Sequence, residues 1–340
     1  MDKKSIQELQ GKINAAASFI PALKTEIGRV VVGQEDLVNK MILALIANGH
    51  ILLEGLPGLA KTLAVKTIAQ AIDGTFSRIQ FTPDLLPADV IGTNVYNPKD
   101  HTFSIKKGPI FANIALADEI NRAPAKVQSA LLECMQEGQV TLGGETLKLQ
   151  YPFLVMATQN PIEHEGTYSL PEAQVDRFMF KVNVTYPKRS EEKLILERIA
   201  HTELDLEAMA VTSLKKIVEA RSWVDKVYMD DKIAEYILDI AIATRPKERD
   251  QLSGRQSNAN LNELDSLIQY GVSPRAPIAM VVGAKAAAFM EGRAYVVPQD
   301  VKNIAPDIMR HRMIVSYEAE AENMNSDDMI KLILDELLTP

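Results

Sequence analysis

The feature that most constrains the fold is a short glycine-containing segment, GLPGLAKT, at residues 55–62. It directly follows an apolar run at 50–54 and leads into an apolar helical pattern at 62–72. A strand, a glycine-rich loop and a helix in this order direct several backbone N–H groups at one point, where they bind phosphate. The segment therefore predicts a phosphate-binding loop at the edge of a parallel sheet.

Two side chains of this loop have predicted roles. Lys61 is placed to reach the β- and γ-phosphates of a nucleotide, and the Thr62 hydroxyl is placed to bind Mg²⁺. Ala60 occupies the position where the usual spacing has its second glycine. We expect alanine to fit there if it has helical dihedrals and its methyl group points away from the nucleotide. An ordinary loop whose Lys-Thr pair caps a helix is the alternative.

Another predicted strand, at 114–118, leads into two carboxylates, Asp118 and Glu119. We expect Asp118 to hold Mg²⁺, directly or through water, and Glu119 to orient the attacking water. Acidic residues that merely cap the next helix are the alternative. The strand predicted at 153–158 is soon followed by Asn160, whose amide either senses the γ-phosphate or caps the turn before Pro161.

Short apolar runs alternate with helical patterns over residues 33–188, which predicts a parallel sheet covered by helices on both faces. Two stretches interrupt this rhythm, 91–107 and 139–150, and both predict β-hairpins; the second is centred on Gly143–Gly144. The predicted strands of the sheet lie at 50–54, 76–81, 114–118, 153–158 and 178–184.

The rest of the chain is predicted to be helical. Residues 5–31 have one apolar face, which Pro21 bends or divides, and we expect them to pack on the following domain rather than in a coiled coil. The polar stretch 246–262 predicts a loop. The predicted domains are 1–32, 33–188 and 189–340. The helices predicted after residue 188 lie at 191–204, 213–228, 230–244, 258–270, 274–290 and 298–316.

Composition excludes several classes of protein. The net charge of −8 argues against a general binder of nucleic acid or anionic membranes. The one cysteine, Cys134, fits a reducing compartment, and we expect it to be a small core residue. The sequence shows neither an apolar signal segment nor a run of about 18 apolar residues. These features predict a cytoplasmic protein without a transmembrane segment.

Several longer phrases together resemble the MoxR family of AAA+ ATPases, in the order and spacing of that family. They cover nearly the whole chain, from about residue 33 to 312. The phrases are VVGQEDLV (31–38), GLPGLAKT (55–62), ADEINRAPAKVQSALLECMQEGQV (117–140), ATQNPIEHEGTYSLPEAQVDRFMF (157–180), GVSPRA (271–276) and EGRAYVVPQDVKNIAPDIMRHR (291–312).

The resemblance implies a P-loop AAA+ α/β domain followed by an all-α lid domain, with ATP and Mg²⁺ as cofactors. It also implies that the two hairpins are the inserts of the helix-2-insert clade, which line a ring's pore or face its partner. The residues implied to bind the nucleotide are Val32, Gly33, Gln34, Gly55, Pro57, Gly58, Leu59, Ala60, Lys61, Thr62, Leu63 and Asp118, of which Thr62 and Asp118 also bind Mg²⁺.

The same resemblance implies roles in hydrolysis for four residues. Glu119 matches the second acidic residue of the Walker B motif, and Asn160 matches sensor 1. Arg177 matches the arginine finger, which acts on the nucleotide of the neighbouring subunit, and Arg275 matches sensor 2, which projects from the lid onto the γ-phosphate. His164 lies in the same segment, where a solvated turn is the simpler interpretation.

The resemblance implies that the protein forms an ATP-hydrolysing ring, which we expect to be a hexamer. The ring is expected to remodel or mature a partner protein in a chaperone-like way, and insertion of a metal is one form of such maturation. MoxR relatives act on proteins with von Willebrand factor A domains, so a partner of that class is expected. A nucleotide-gated binding or scaffold protein with incidental hydrolysis is the alternative. A DNA-acting AAA+ protein is disfavoured by the acidic net charge and by the lack of an appended nucleic-acid module.

Overall fold

The computed structural model describes residues 3–99, 101–162, 167–200, 207–252, 261 and 264–340. The segment with His164 and most of the predicted 246–262 loop lie outside these ranges. The chain forms two compact units. The first contains residues 19–218, and the second contains residues 1–18 together with 219–340.

The first unit contains a five-stranded sheet in which all strands are parallel, in the order β2-β5-β8-β1-β9. β5 is buried along its whole length and β8 at all but its last residue, whereas the edge strand β2 buries only one of its residues fully. The five strands predicted from the apolar runs are therefore confirmed. The strands are β1 (Ile51–Glu54), β2 (Phe76–Gln80), β5 (Ile114–Asp118), β8 (Leu154–Gln159) and β9 (Phe180–Asn183).

Helices flank this sheet, and a short 3₁₀ turn, Ile120–Arg122, follows β5. The aliphatic faces of the longer helices supply much of the core, as the fully buried Leu23, Ile42 and Ile68 illustrate. The parallel sheet with flanking helices confirms the predicted α/β fold. The helices are α2 (Ile20–Val30), α3 (Glu35–Ile46), α4 (Lys61–Ala71), α5 (Pro87–Ile91), α6 (Ala125–Glu137), α7 (Glu172–Val175), α8 (Arg189–Ile199) and α9 (Leu214–Val224), and the boundary between the units falls within α9.

Both predicted hairpins are present. Antiparallel strands β3 (Gly92–Asn97) and β4 (Thr102–Lys107) form the first, and β6 (Gln139–Leu142) and β7 (Glu145–Lys148) form the second. In the second hairpin Gly143 and Gly144 have φ values of +57° and +88°. Two successive residues with positive φ give the turn whose twist matches that of the flanking strands, which explains the glycine pair.

Where the structure describes it, the second unit is mainly helical, and it also contains one small antiparallel sheet, which the sequence prediction did not include. Residues 268–270, predicted as the end of a helix, form β10 because they pair with β11. The helix predicted over 298–316 ends at Met309, and Pro246–Gln251 of the predicted loop is a 3₁₀ helix. The elements are α1 (Lys3–Ala17), α10 (Asp231–Ala243), β10 (Ile268–Tyr270), α11 (Arg275–Met290), α12 (Pro298–Met309), β11 (Ile314–Val315), α13 (Tyr317–Ala321) and α14 (Ser326–Glu336).

The predicted N-terminal helix is divided, as Pro21 suggested. α1 ends at Ala17, and Pro21 lies in the first turn of α2. Proline is tolerated there because the first helical N–H groups have no partner within the helix. α1 and α2 belong to different compact units, so the boundaries predicted near residues 32 and 188 are not those of the compact units.

Cys134 lies on the buried side of α6, as expected for a small core residue. Burial raises the pKa of its thiol to about 11, and the charge of Glu133 acts in the same direction. The thiol is therefore neutral at physiological pH. No helix among the described residues is long and apolar enough to cross a membrane.

Candidate active site

The predicted phosphate-binding loop connects β1 to α4. Gly58 has a φ of +85°, and Ala60, the residue that precedes the helix, has a φ of +56° and a ψ of +18°. The condition under which we expected alanine to fit, helical dihedrals, is therefore not met, because the conformation of Ala60 is left-handed. The chain needs this conformation to turn from the loop into the first turn of α4, and alanine adopts it at a cost of about 1–2 kcal/mol.

The ammonium group of Lys61 lies over this loop. Its Nζ donates hydrogen bonds to the carbonyl oxygens of Gly55 and Leu56, the second at 2.9 Å. Burial lowers the pKa of Lys61 below its usual value, and the negative charges of Asp118 and Glu119 act in the opposite direction. The ammonium group is thus a partly desolvated cation held over the loop that precedes the N-terminus of α4, and such a helix terminus favours an anion.

Asp118, at the end of β5, is brought together with Thr62 at the start of α4. Its Oδ1 accepts a hydrogen bond of 2.6 Å from the Thr158 hydroxyl, and its Oδ2 accepts one of 3.4 Å from the Thr62 hydroxyl. Thr158 lies on β8, the strand beside β5, so the neighbouring strand fixes the orientation of the carboxylate.

The Thr62 and Asp118 side chains fit a magnesium ion. Both present oxygen atoms, which Mg²⁺ prefers, and they lie within hydrogen-bond distance of each other. Among the described residues, no three or more His, Cys, Asp or Glu side chains form a group that could hold a metal by themselves. A divalent cation at this place would therefore complete its coordination with phosphate oxygens and water, as Mg²⁺ does in nucleotide sites.

Glu119 follows directly in a left-handed conformation, with a φ of +58° and a ψ of +49°. Its backbone N–H donates to the Thr158 hydroxyl at 2.8 Å. Its Oε2 accepts a hydrogen bond of 2.8 Å from the Gln80 amide and forms an ion pair of 3.2 Å with Arg122. The carboxylate is thus held at the mouth of the cleft by side chains on both sides.

Arg78 on β2 is a site residue that the sequence reasoning missed. Its Nη2 and Nε donate hydrogen bonds of 2.7 and 3.0 Å to Oδ2 of Asp118. The only sequence signal is a pair of polar residues, Arg78 and Gln80, on alternate positions of an edge strand. That pattern predicts a polar face but does not indicate which neighbour the face meets.

Asn160 lies directly after β8 and is buried. Its Oδ1 accepts a hydrogen bond of 3.2 Å from the Ile162 N–H, so the side chain does cap the turn, as the simpler interpretation predicted. Asn160 also lines the cleft of the phosphate-binding loop. With the oxygen engaged in the turn, the NH₂ group is the part of this side chain that can donate to a ligand.

These residues enclose one cleft of about 420 Å³, a volume within the range of small-molecule sites. The lining residues come from the loop and the start of α4, from the ends of β5 and β8, and from Arg78 in the middle of β2. The residues that line it are Pro57, Gly58, Leu59, Ala60, Lys61, Thr62, Leu63, Arg78, Asp118, Glu119, Thr158 and Asn160.

A second cavity, of about 520 Å³, shares the loop residues with the first. Gln34 precedes α3 and donates from its Nε2 to the Thr185 carbonyl at 3.2 Å, and Gly33 has a φ of +75°. The wall formed by Tyr186 and α8 was not predicted, because nothing local in the sequence indicates it. The lining residues are Val32, Gln34, Pro57, Gly58, Leu59, Ala60, Leu63, Tyr186, Pro187, Glu192, Ile195 and Leu196.

Four predicted residues, Gly33, Gly55, Arg177 and Arg275, are not among those that line these two cavities. The Nη1 atom of Arg177 donates a hydrogen bond of 3.1 Å to the carbonyl of Leu132 on α6. Arg275 is the first residue of α11 and belongs to the second compact unit. The assignments of these two arginines as arginine finger and sensor 2 therefore stay predictions.

Comparison with known proteins agrees with this fold. The model of the ATPase family associated with various cellular activities (AAA) matches residues 50–180, which include the loop and both carboxylates. A model described as the AAA lid domain matches residues 263–333. The chain is also similar to a crystal structure of a candidate ATPase from Cytophaga hutchinsonii, with a TM-score of 0.88 and 46% identity over 99% of this chain and 98% of the other. These matches define the class: an AAA domain followed by a lid.

Individual relatives narrow the class further. Chaperone MoxR1 of Mycobacterium tuberculosis is 45% identical over 93% of this chain and 81% of its own length. The uncharacterized protein YeaC of Bacillus subtilis is 43% identical over 92% of each chain, and Protein MoxR of Methylorubrum extorquens is 29% identical over 96% of each. The chain therefore belongs to the MoxR family of AAA+ ATPases.

Proposed function

We propose that this protein binds ATP with Mg²⁺ in the cleft after β1 and hydrolyses it to ADP and phosphate. The observation that carries the proposal is the convergence of Lys61, Thr62, Asp118 and Glu119 on one cleft. Each of these residues lies at the start of α4 or the end of β5, so an ammonium group, a hydroxyl and two carboxylates meet at one edge of the sheet, which supports the proposal.

Binding is the task of the loop. The backbone N–H groups of residues 58–62 and the positive end of the α4 dipole attract the phosphates. Lys61 exchanges its hydrogen bonds with Gly55 and Leu56 for bonds to phosphate oxygens, which are better acceptors because they are charged. Val32, Gly33 and Gln34, together with the second cavity, are the proposed base-side region.

Hydrolysis is the task of the strand ends. A magnesium ion held by Thr62 and Asp118 would neutralise charge on the phosphates. Glu119 accepts a hydrogen bond from the attacking water and so orients it toward the γ-phosphate. Asn160 donates to the phosphate or the water through its NH₂ group, and Arg275 is the proposed sensor for the γ-phosphate.

We further propose that the subunits work in a ring, a hexamer, in which Arg177 completes the site of a neighbour. Arg177 follows α7 and its side chain donates a hydrogen bond to Leu132 of α6, and the described residues that line the cleft do not include it. An arginine supplied from another subunit contributes about 10³–10⁵ in rate in related phosphoryl transfers. Isolated subunits are therefore expected to hydrolyse ATP slowly.

The output of the ring is the chaperone-like remodelling or maturation of a partner protein, and insertion of a metal is one form of it. Support comes from the relative named Chaperone MoxR1, to which this chain is 45% identical. The proposed partner class, a protein with a von Willebrand factor A domain, rests on the family resemblance. Such a protein bound to the ATP-loaded ring and released after hydrolysis would support the proposal.

The nucleotide site is tested with two substitutions and a matched control. Lys61→Ala removes the phosphate ligand, so binding of a fluorescent ATP analogue should fall at least about tenfold. Glu119→Gln keeps the shape of the side chain, but the amide is a weaker hydrogen-bond acceptor for the attacking water. Binding of the ATP analogue should therefore persist while ATP turnover falls about 10²-fold or more. Lys66→Ala, on the exposed side of α4, removes the same charge outside the cleft and should change neither.

Two measurements separate hydrolysis from mere nucleotide gating. Phosphate release by the unmodified protein, with and without partner, should exceed that of Glu119→Gln. If the protein bound ATP but released no phosphate under any condition, the ATPase proposal would be wrong, and a nucleotide-gated scaffold would take its place. If Lys61→Ala bound the nucleotide as well as Lys66→Ala does, the site itself would be misplaced.

A further inference from the structure

The position of Arg78 is set by the edge strand of the sheet. Among the described strands β2 pairs with β5 alone, and Gln80 lies opposite Asp118 in the parallel register. Side chains on a strand alternate between its faces, so Ile79 enters the core while Arg78 and Gln80 share the other face. That face carries the guanidinium group to the end of β5, where the cleft begins.

The contacts of Arg78 concentrate on a single oxygen atom. Two donors of Arg78, Nη2 and Nε, bind Oδ2 of Asp118 at 2.7 and 3.0 Å. The other oxygen, Oδ1, is taken by the Thr158 hydroxyl at 2.6 Å. Oδ2 is also the atom that faces the Thr62 hydroxyl, so the guanidinium group occupies the carboxylate oxygen that a cation between Thr62 and Asp118 would need.

The two partners of this ion pair differ in exposure. The Asp118 side chain is 11% exposed and the Arg78 side chain 50%. A buried carboxylate without a counter-ion is costly, because it has lost most of its water. Arg78 supplies that counter-ion, and its own exposure means that water can solvate it again at small cost once it leaves. Its Nη2 also donates to the Gln80 amide oxygen at 2.8 Å, which holds the guanidinium group beside the carboxylate.

We propose that Arg78 is the resident counter-ion of Asp118 and competes with the divalent cation for Oδ2. The proposal rests on the proposed function in placing the cation between Thr62 and Asp118. Nη2 and Nε of Arg78 and the Thr62 hydroxyl already take up the lone pairs of Oδ2, so a cation that binds this oxygen must displace guanidinium contacts, and its charge repels the guanidinium group. Arg78 therefore lowers the affinity of the site for the metal and is a positioning residue, which orients Asp118 until the metal arrives with the nucleotide.

The test measures metal binding directly, without nucleotide and without turnover. Binding of Mn²⁺ alone to the full chain is followed by electron paramagnetic resonance of the free ion. Arg78→Gln should bind Mn²⁺ about two- to fivefold more tightly than the unmodified protein, which is the upper part of the range expected for loss of one half-exposed ion pair. Arg78→Lys, which keeps the charge but has lost the two-point contact, should fall between the two.

Two controls assign the effect to Asp118. Arg122→Gln removes an equal charge from the ion pair with the neighbouring Glu119, so it reports the general effect of charge, and its gain should be less than about twofold. When Asp118→Asn is also present, Arg78→Gln should no longer increase the affinity for Mn²⁺, so the double variant should bind Mn²⁺ as weakly as Asp118→Asn alone. Circular dichroism establishes whether each variant is folded. If Arg78→Gln does not fold, the Mn²⁺ affinity of Arg78→Lys relative to the unmodified protein tests the proposal instead.

Three outcomes would overturn the proposal. An unchanged or weaker affinity in Arg78→Gln would mean that Arg78 supports the metal site rather than competing for it. An equal gain in Arg122→Gln would mean that only net charge matters, and a gain that survives Asp118→Asn would place the metal elsewhere. The proposed function would fail on a different result, namely that the unmodified protein does not bind ATP. The titration with Mn²⁺ alone does not depend on ATP binding, so the two failures can be told apart.

Discussion

Ala60 holds a backbone conformation that alanine rarely adopts. Its φ of +56° and ψ of +18° lie in the left-handed region, immediately before the first residue of α4. A side chain with a Cβ atom costs about 1–2 kcal/mol in this region, whereas glycine has no such cost. Alanine also lowers the conformational entropy of the unfolded chain relative to glycine, and this effect offsets about 0.4–1 kcal/mol of the backbone strain.

Substitution of Ala60 by glycine should therefore stabilise the protein. The expected gain in the free energy of unfolding is about 0.5–1 kcal/mol, the difference between the two effects. Urea denaturation measures it, with Ala64→Gly as the matched control, since Ala64 lies within α4 and its loss should destabilise by about 1 kcal/mol or more. A loss of stability in Ala60→Gly would show that its methyl group makes contacts that outweigh the backbone strain.

At the scale of residues, the sequence predicted those parts of the site that lie at the ends of strands. Lys61, Thr62, Asp118 and Glu119 converge because parallel strands end at one edge, a property of the fold class. Arg78 and Thr158 could not be found in the same way. Their contacts with Asp118 depend on strand order and on the face of each strand, which arise from pairing between distant segments.

At the scale of elements, the two backbone segments at the base of the β3–β4 hairpin, near Gly92 and Gly108, lie very close together. At Gly108 an added Cβ atom would lie 2.3 Å from the carbonyl oxygen of Val90 and 2.5 Å from the nitrogen of Gly92. Both neighbours are backbone atoms, which cannot rotate away as a side chain can. The base of the hairpin between β3 and β4 therefore requires glycine at this position.

Gly108→Ala should lower the free energy of unfolding by about 1–3 kcal/mol, because the methyl group forces the two backbone segments apart. Gly28→Ala is the matched control in the same compact unit. Gly28 lies inside α2, and an added Cβ atom there would meet nothing within 4 Å, so this variant should gain up to about 1 kcal/mol. Thermal or urea unfolding of both variants checks the opposite signs, and equal effects would contradict the packing argument.

The elements that the sequence failed to predict are those decided by distant partners. The five core strands follow from apolar runs, and the Gly143–Gly144 hairpin follows from its turn. By contrast, Ile268–Tyr270 becomes a strand because Ile314–Val315 pairs with it, and no local pattern indicates that partner. Helical periodicity predicted these two segments to be helical because it reads only the residues near in sequence.

At the scale of the whole molecule, the compact units do not follow the order of the chain. Residues 1–18 belong with residues 219–340. In that unit the Gln10 side chain accepts a hydrogen bond of 2.9 Å from the backbone N–H of Ala294 and donates to the carbonyl of Gly292. A sequence read from one end places α1 with its neighbour α2, so this association could not be predicted without long-range contacts.

The proposed ring makes a prediction that no single subunit can test. If each site takes Glu119 from one subunit and Arg177 from the next, then Glu119→Gln and Arg177→Ala should each be inactive alone. Mixed in equal amounts and allowed to exchange subunits, they should regain activity at about a quarter of the interfaces, where a complete pair meets. Phosphate release measures the recovery, and native mass spectrometry reports the number of subunits. A mixture as inactive as its components would show that Arg177 acts within its own subunit or not at all.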